Sequence, residues 1–277
     1  MSALLMCPPT YFGIEYEINP WMSRLRGADP GLATAQWTHL RETLGQQCGI
    51  QIETVEPQAG LPDLVFTANA GLVVGRRAIL SRFRVPARSG EEPVFRDWFA
   101  GHGFEVVELP PDVFFEGEGD ALFCGEQLYC GYHFRSEIRS HDLIAEMLGR
   151  RILSLQLVDP RFYHLDTCFC PLGPDRAMYF PGAFDEYGRR VLASNIGDLI
   201  EVSEHDALRF GCNAVLIHDD IVLPAGCNQL TADLCGRGYR VHPVNLSEYL
   251  KSGGAAKCLV LRLDARTTAS MQMCDRE

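Results

Sequence analysis

Four short stretches of the 277-residue chain concentrate side chains that can carry protons, bind cations or attack carbon. In Pro62-Asp63-Leu64-Val65-Phe66-Thr67-Ala68-Asn69-Ala70-Gly71 a carboxylate and an amide bracket a strand-like apolar run. That pattern places polar groups at both ends of a strand, and two turns around a strand would also produce it. The second stretch, Phe114-Phe115-Glu116-Gly117-Glu118-Gly119-Asp120, sets Glu116, Glu118 and Asp120 among glycines. Carboxylates so close repel unless a cation or proton sits among them, and glycine lets backbone approach a ligand. A solvated acidic turn is the alternative, although the two Phe point to a buried approach.

The third stretch is His164-Leu165-Asp166-Thr167-Cys168-Phe169-Cys170. On a strand, His164 and Asp166 would share a face and set a proton carrier beside a carboxylate. Zinc held by His164, Cys168 and Cys170 fits poorly, because the cysteine spacing is wrong for a structural site and a fourth ligand is missing. The fourth is Gly253-Gly254-Ala255-Ala256-Lys257-Cys258-Leu259. A thiol on an accessible loop of small residues is a candidate nucleophile, whereas one inside an apolar strand is a packing residue. Most of the other cysteines fit the second description. No P-loop or Rossmann glycine fingerprint occurs.

The elements that must position these groups follow from hydrophobic periodicity. Amphipathic patterns predict helices beginning near Gly31, Glu92, Ser136, Gly182 and Cys227. The first carries Ala33, Trp37, Leu40, Leu44 and Cys48 on one face. The third starts with Ser136 as N-cap and stops at Gly149. Between the helices, short apolar runs read as strands: Ala78–Leu80, Val106–Leu109, Leu128–Cys130, Ile152–Leu155, Met178–Phe180, Ala214–Ile217, Ile221–Leu223 and Leu259–Leu263. After the first interval, successive helices start about 45 residues apart, which suggests one helix and several strands per repeating unit. A single α/β sheet with evenly spaced helices is the other reading.

Composition narrows the function classes. A 47% hydrophobic, 22% charged chain is globular rather than disordered, collagenous or coiled-coil. A net charge of −11 without a basic cluster argues against nucleic-acid or anionic-membrane partners. The longest uncharged apolar stretch, 64–75, is too short to span a bilayer. No basic residue precedes Arg24 and no long apolar core follows the start, so no signal peptide is expected. Eleven scattered cysteines, an odd number in a chain large enough to fold without disulfides, predict a reducing, cytoplasmic setting.

Taken together in order, the four segments resemble the guanidino-modifying superfamily, the penteins, and most of all its arginine dihydrolase group. Arginine deiminases, dimethylarginine dimethylaminohydrolases and amidinotransferases are related. The likeness extends to Leu5-Met6-Cys7-Pro8-Pro9, Ile18-Asn19-Pro20-Trp21-Met22, Leu80-Ser81-Arg82-Phe83, Gly90-Glu91-Glu92-Pro93, Phe134-Arg135-Ser136 and Tyr179-Phe180-Pro181-Gly182-Ala183-Phe184-Asp185. The resemblance implies an α/β fold, a five-bladed propeller of ββαβ units. The catalytic domain would span 1–264 and a tail 265–277, without the second domain that some relatives carry. By resemblance Cys258 is the nucleophile and His164 the acid and base. Glu116 and Asp166 would hold the guanidinium, and Asp63, Asn19, Arg82 and Arg135 would bind the rest of the substrate. Where deiminases place an aspartate against the guanidinium, this chain has Asn69, an amide that can donate to a ureido carbonyl. The expected activity is therefore hydrolysis of arginine to ornithine, carbon dioxide and two ammonia. A deiminase or dimethylarginine hydrolase stopping at citrulline and an amidinotransferase are the alternatives. Neither cofactor nor metal is expected, the partner being a small guanidino compound; an oligomer is possible.

Overall fold

The structure is a computed structural model, and residues 3–263 are described; the expected tail 265–277 lies outside them. Five three-stranded sheets are arranged as blades. Four are continuous in sequence. The second blade has strands Gly71–Val74, Arg77–Leu80 and Glu105–Val107, with helix Glu91–Gly101 before the last. The third has Ala121–Cys124, Gln127–Tyr132 and Ile152–Gln156 with helix Ile138–Leu148. The fourth has Phe169–Gly173, Arg176–Tyr179 and Asp198–Glu201 with helix Glu186–Asn195. The fifth has Val215–Ile217, Asp220–Pro224 and Arg240–Val244 with helix Asn228–Gly236. In each, a tight antiparallel hairpin is followed by a helical crossover to a parallel third strand, the connection a parallel pair requires.

The first blade closes the ring. Its middle strand Ala3–Met6 pairs antiparallel with Leu261–Arg262 and, after helix Pro30–Glu42, parallel with Gln51–Thr54. The order is therefore again ββαβ, permuted across the chain. The expected five-bladed α/β propeller is present. Ala33, Trp37 and Leu40 face inward from the first helix, as their spacing predicts, and Asp29 caps it by accepting from Leu32 N at 2.9 Å.

The first strands of neighbouring blades approach one another around the axis. Each is entered by a tight turn: Thr67–Ala70, Gly117–Gly119 and Leu165–Thr167 as 3-10 turns, with irregular turns at 211–213 and 256–259. This arrangement corrects three sequence expectations. Leu64–Ala70 is not a strand but two 3-10 turns, Pro62–Val65 and Thr67–Ala70, and the strand begins only at Gly71. His164 and Asp166 likewise lie on a turn rather than a strand, so they do not share a face. Ser136 does not cap the third helix, whose N-cap is Glu137; its hydroxyl donates instead to Asp120 Oδ2 at 2.7 Å. The fourth helix starts at Glu186, capped by Asp185, after a 3-10 turn at Pro181–Ala183. The closing strand is shorter than expected, only Leu261–Arg262. The strands Ala3–Met6, Gln51–Thr54, Gly71–Val74, Ala121–Cys124, Phe169–Gly173, Asp198–Glu201 and Arg240–Val244 are additional to those the apolar runs predict.

Gly117 has φ +61°, and a Cβ there would stand 2.7 Å from Gly71 O, 2.8 Å from Gly71 N and 2.9 Å from Ala68 O. Gly117 thus admits neighbouring backbone, while a Cβ at Gly119 would meet the side chains of Asn69 and His164. Gly149, at φ +60°, ends the third helix with open space around it. Left-handed strain alone is worth about 1–2 kcal/mol. Gly149→Ala should therefore lower unfolding free energy by about that much in urea titrations, and Gly117→Ala by clearly more. Equal losses would contradict the packing role assigned to Gly117.

Candidate active site

The turns deliver one polar group after another to a single buried cavity. Ile18, Asn19, Asp63, Phe66, Asn69, Arg88, Arg135, Tyr163, His164, Ser252 and Cys258 line it. Glu116 and His164 occupy equivalent positions, each immediately before the 3-10 turn of its blade. Their side chains meet, Glu116 Oε2 lying 2.7 Å from His164 Nε2. Arg135 Nη1 donates to the same oxygen at 3.2 Å. Burial alone would raise the Glu116 carboxyl, but Arg135 and His164 outweigh it and hold the group at about 2. The carboxylate beside His164 is therefore Glu116, not the expected Asp166.

Asp166 instead approaches the thiol, with Cys258 Sγ 3.4 Å from Oδ2. Burial lifts the Asp166 carboxyl to about 7 despite Lys257 nearby. Burial, reinforced by Asp166, pushes the Cys258 thiol well above its ordinary range, so the unliganded site holds a neutral thiol. Cys258 is 4% exposed: the small residues of its loop pack against the core rather than opening it to solvent, contrary to the sequence expectation. Asn213, fully buried and unrecognised in the sequence, fixes the sulfur. Its Nδ2 donates to Cys258 Sγ at 3.1 Å and to Asp166 O at 3.0 Å, while its Oδ1 accepts from Cys258 N and Ala255 N, both at 3.1 Å. Both N–H donors and both lone pairs of its amide are thus used to hold the two turns together.

The three carboxylates of the acidic stretch have separate partners, which relieves their repulsion. Glu118 accepts from Lys257 Nζ at 2.9 Å in a buried pair. Asp120 accepts from the Ser136 hydroxyl and from Leu165 N at 3.0 Å, and burial raises it to about 6.

Asn69 lies between two neighbours that dictate its orientation. Its Oδ1 accepts from Arg88 Nη1 at 2.8 Å and its Nδ2 donates to Glu116 O at 3.0 Å. One N–H of that amide is left over. Arg88, a second residue the sequence reading missed, forms a two-pronged buried pair with Glu91 at 2.7 Å for each contact. Burial opposes its charge, but Glu91 keeps the guanidinium protonated. Arg135 also donates to Ile18 O at 2.9 Å and sits over the Tyr163 ring at 4.7 Å.

Of the expected binding residues, Asn19, Asp63 and Arg135 reach the cavity, and burial raises the Asp63 carboxyl although Arg88 and the Tyr16 hydroxyl beside it oppose the rise. Arg82 does not reach it. Its backbone pairs with Phe115, and its guanidinium is held by Glu92 at 3.5 Å and Glu108 at 3.7 Å; Arg88 occupies the cavity instead. The zinc alternative is not assembled, since Cys168 Sγ turns back to His164 O and Leu165 O and Cys170 Sγ points to Ala214 O.

Comparison with known proteins agrees with this geometry. Residues 28–264 match the family model for N,N dimethylarginine dimethylhydrolase, eukaryotic. The chain is 40% identical over 258 residues to the N(G),N(G)-dimethylarginine dimethylaminohydrolase of Mycobacterium tuberculosis, covering 93% of this chain and 84% of that protein. It is 46% identical over 280 residues to ArgZ of Synechocystis, a bifunctional arginine dihydrolase/ornithine cyclodeaminase, covering 97% of this chain but 39% of ArgZ. The crystal structure of the substrate-bound N-terminal domain of ArgZ, a cysteine-to-serine mutant, superposes with a TM-score of 0.91 at 46% identity, covering 95% of this chain and 98% of that one. The chain belongs to the dimethylarginine dimethylaminohydrolase family within the pentein superfamily. It spans about two fifths of the length of its bifunctional relatives.

Two measurements test the electrostatics. Asp166 and Asp120 keep protons in the fold that an unfolded chain, with carboxyls near about 4, has already released. Folding therefore takes up protons between about pH 4 and 7, and stability falls as pH rises through that window. Asp166→Asn should flatten the slope by about 1.4 kcal/mol per pH unit near pH 5–6 in urea titrations; an unchanged slope would contradict the raised carboxyl. Asn213→Ala removes the donor to sulfur, so alkylation of Cys258 by iodoacetamide should slow at least severalfold at pH 8, read by peptide mass spectrometry. Faster alkylation would show that Asn213 shields the thiol rather than favouring its ionised form.

Proposed function

We propose that this member of the family hydrolyses the guanidino group of free L-arginine to ornithine, carbon dioxide and two ammonia. The observation that carries this reading is the spare N–H of Asn69, a neutral donor in the same cavity as the Cys258 thiol and the His164–Glu116 pair. The likeness to ArgZ supports it.

A guanidinium binds between Glu116 and Asp166 beside the sulfur, and its α-carboxylate turns to Arg135, with Arg88 taking the place expected for Arg82. Two planar guanidinium groups suit a carboxylate. Asp63, an acidic side chain of the cavity wall, takes the α-ammonium, and Asn19 closes that end. The incoming cation offsets the negative Asp166 and lets the thiol ionise at neutral pH. Cys258 Sγ bonds to the guanidino carbon. His164 protonates the departing nitrogen, the C–N bond breaks, and ammonia leaves an amidino-thioether. His164 then takes a proton from water, whose oxygen adds to the same carbon, and the C–S bond breaks to leave citrulline.

The second round depends on Asn69. A ureido group presents a carbonyl oxygen where the guanidinium had an N–H, and the spare amide donor of Asn69 meets that oxygen. Cys258 attacks again, the second ammonia leaves, and water releases a carbamate that loses carbon dioxide to give ornithine. A carboxylate at this position would repel the oxygen and let citrulline go.

A second reading, hydrolysis of N-methylated arginine to citrulline, is favoured by the family match and the Mycobacterium tuberculosis relative. Ten cysteines among the described residues are free, which suits a reducing compartment such as the cytoplasm.

Product analysis with arginine should find ornithine and two ammonia per substrate, with no accumulating citrulline. Citrulline with one ammonia would overturn the dihydrolase reading, and turnover of dimethylarginine alone would establish the second. Cys258→Ala should lower turnover at least about 10³-fold while arginine still binds in calorimetry. Asn69→Asp should move the product to citrulline, and unchanged products would remove Asn69 from the mechanism.

A further inference from the structure

We propose that Cys48, Asp220 and His242 form a site for one divalent cation of the zinc class. Three separate segments supply the donors. Cys48 follows the first-blade helix and the turn Thr43–Gln47, Asp220 opens the middle strand of the fifth blade, and His242 lies on that blade's third strand. Strand register sets Asp220 opposite Arg240 and Val222 opposite His242, so the carboxylate and imidazole meet diagonally, Oδ1 to Nε2 at 2.7 Å. One thiol sulfur, one imidazole nitrogen and one carboxylate oxygen all lie within 4.8 Å of one another. Bonds of about 2.0–2.3 Å around a tetrahedral zinc hold ligand atoms roughly 3.3–3.8 Å apart. Closing the set onto an ion therefore needs side-chain adjustment and no backbone rearrangement.

The donor chemistry selects the ion. A thiolate with an imidazole and one carboxylate suits zinc and cobalt, while calcium and magnesium want oxygen throughout. Three protein donors leave the fourth position to water, reached past the partly exposed His242. On binding, Cys48 loses its proton to solvent as the sulfur–metal bond forms. Thiolate and carboxylate then neutralise the ion. Arg240 already grips Asp220 with Nε at 2.9 Å and Nη2 at 2.6 Å, its own side chain 63% exposed. It can keep Oδ2 and orient the carboxylate from outside, as outer partners of metal ligands do. None of these four residues lines the reaction cavity, so this ion is not part of the proposed hydrolysis. It would join the first blade to the fifth.

The test uses the full chain carrying Cys258→Ser, so that the active-site thiol cannot contribute. Titration with Co²⁺ should produce a thiolate-to-cobalt charge-transfer band that saturates at one equivalent and is displaced by Zn²⁺. Cys48→Ser and His242→Ala in that background should each lose the band, and Arg240→Gln should keep it. Zn²⁺ at about a hundredfold excess over its Kd should raise the melting midpoint by roughly 5 °C or more, and this rise should disappear in His242→Ala. No band in the Cys258→Ser protein would overturn the proposal. So would a band that survives both Cys48→Ser and His242→Ala, which would trace it to another thiol such as the exposed Cys235.

Discussion

The demanding constraint in this molecule is a negative charge placed where no water reaches it. Glu116 is fully buried, and an isolated carboxylate in such a place would be protonated or would disrupt the fold. It stays ionised because Arg135 and His164 converge on one of its oxygens. Those two partners need supports of their own. Arg135 rests on the carbonyl of Ile18 and the ring of Tyr163, and Tyr163 in turn donates its hydroxyl to Gly253 O at 2.8 Å. Through that chain of contacts, one carboxylate aligns the loop carrying Asn19, the imidazole turn and the glycine stretch before the nucleophile.

The fold meets this demand by repeating one device. Every blade enters its innermost strand through a tight turn, and the turns point at a common centre. The same structural position bears Glu116 in one blade and His164 in the next. Asn69 and Asn213 likewise each sit two residues before their blade's first strand. One amide orients a cation and a neighbouring carbonyl, and the other holds the sulfur. Pseudo-symmetric backbone thus presents a carboxylate or an imidazole at one equivalent place and an amide at another.

Much of this was legible in the sequence, for physical reasons. The helices announce themselves because each needs an apolar stripe, as Ala33, Trp37 and Leu40 provide. Cys258, His164 and Glu116 stand out as reactive side-chain types embedded in small or apolar residues. The first strands Gly71–Val74, Ala121–Cys124 and Phe169–Gly173 stay hidden because each begins directly after a polar turn, whereas the apolar runs at 214–217 and 259–263 mark the first strands of the fifth and first blades. Pairings were hidden too. Asp166 lies two residues from His164 in sequence, yet the bond goes to Glu116, 48 residues away. Arg82 and Arg88 are near neighbours with equal claims by residue type. Only the isolated bridge of Arg82 to Phe115 and the 3-10 turn at Pro86–Arg88 decide which guanidinium faces the cavity.

The strand that completes the first sheet, Leu261–Arg262, follows Cys258 by three residues and pairs with Ala3–Met6. Synthesis therefore delivers the thiol and the clasp of the ring together, after four blades have already emerged. Until then the exposed edge of Ala3–Met6 has no antiparallel neighbour, and the groups around Glu116 lack the wall that shuts out water. Pairing segments so distant in sequence is slow. While the seam between them is open, the unpaired strand edge is a template for edge-to-edge association. The pairing that seals the seam thus also anchors the turn bearing the Cys258 sulfur, three residues earlier in the chain.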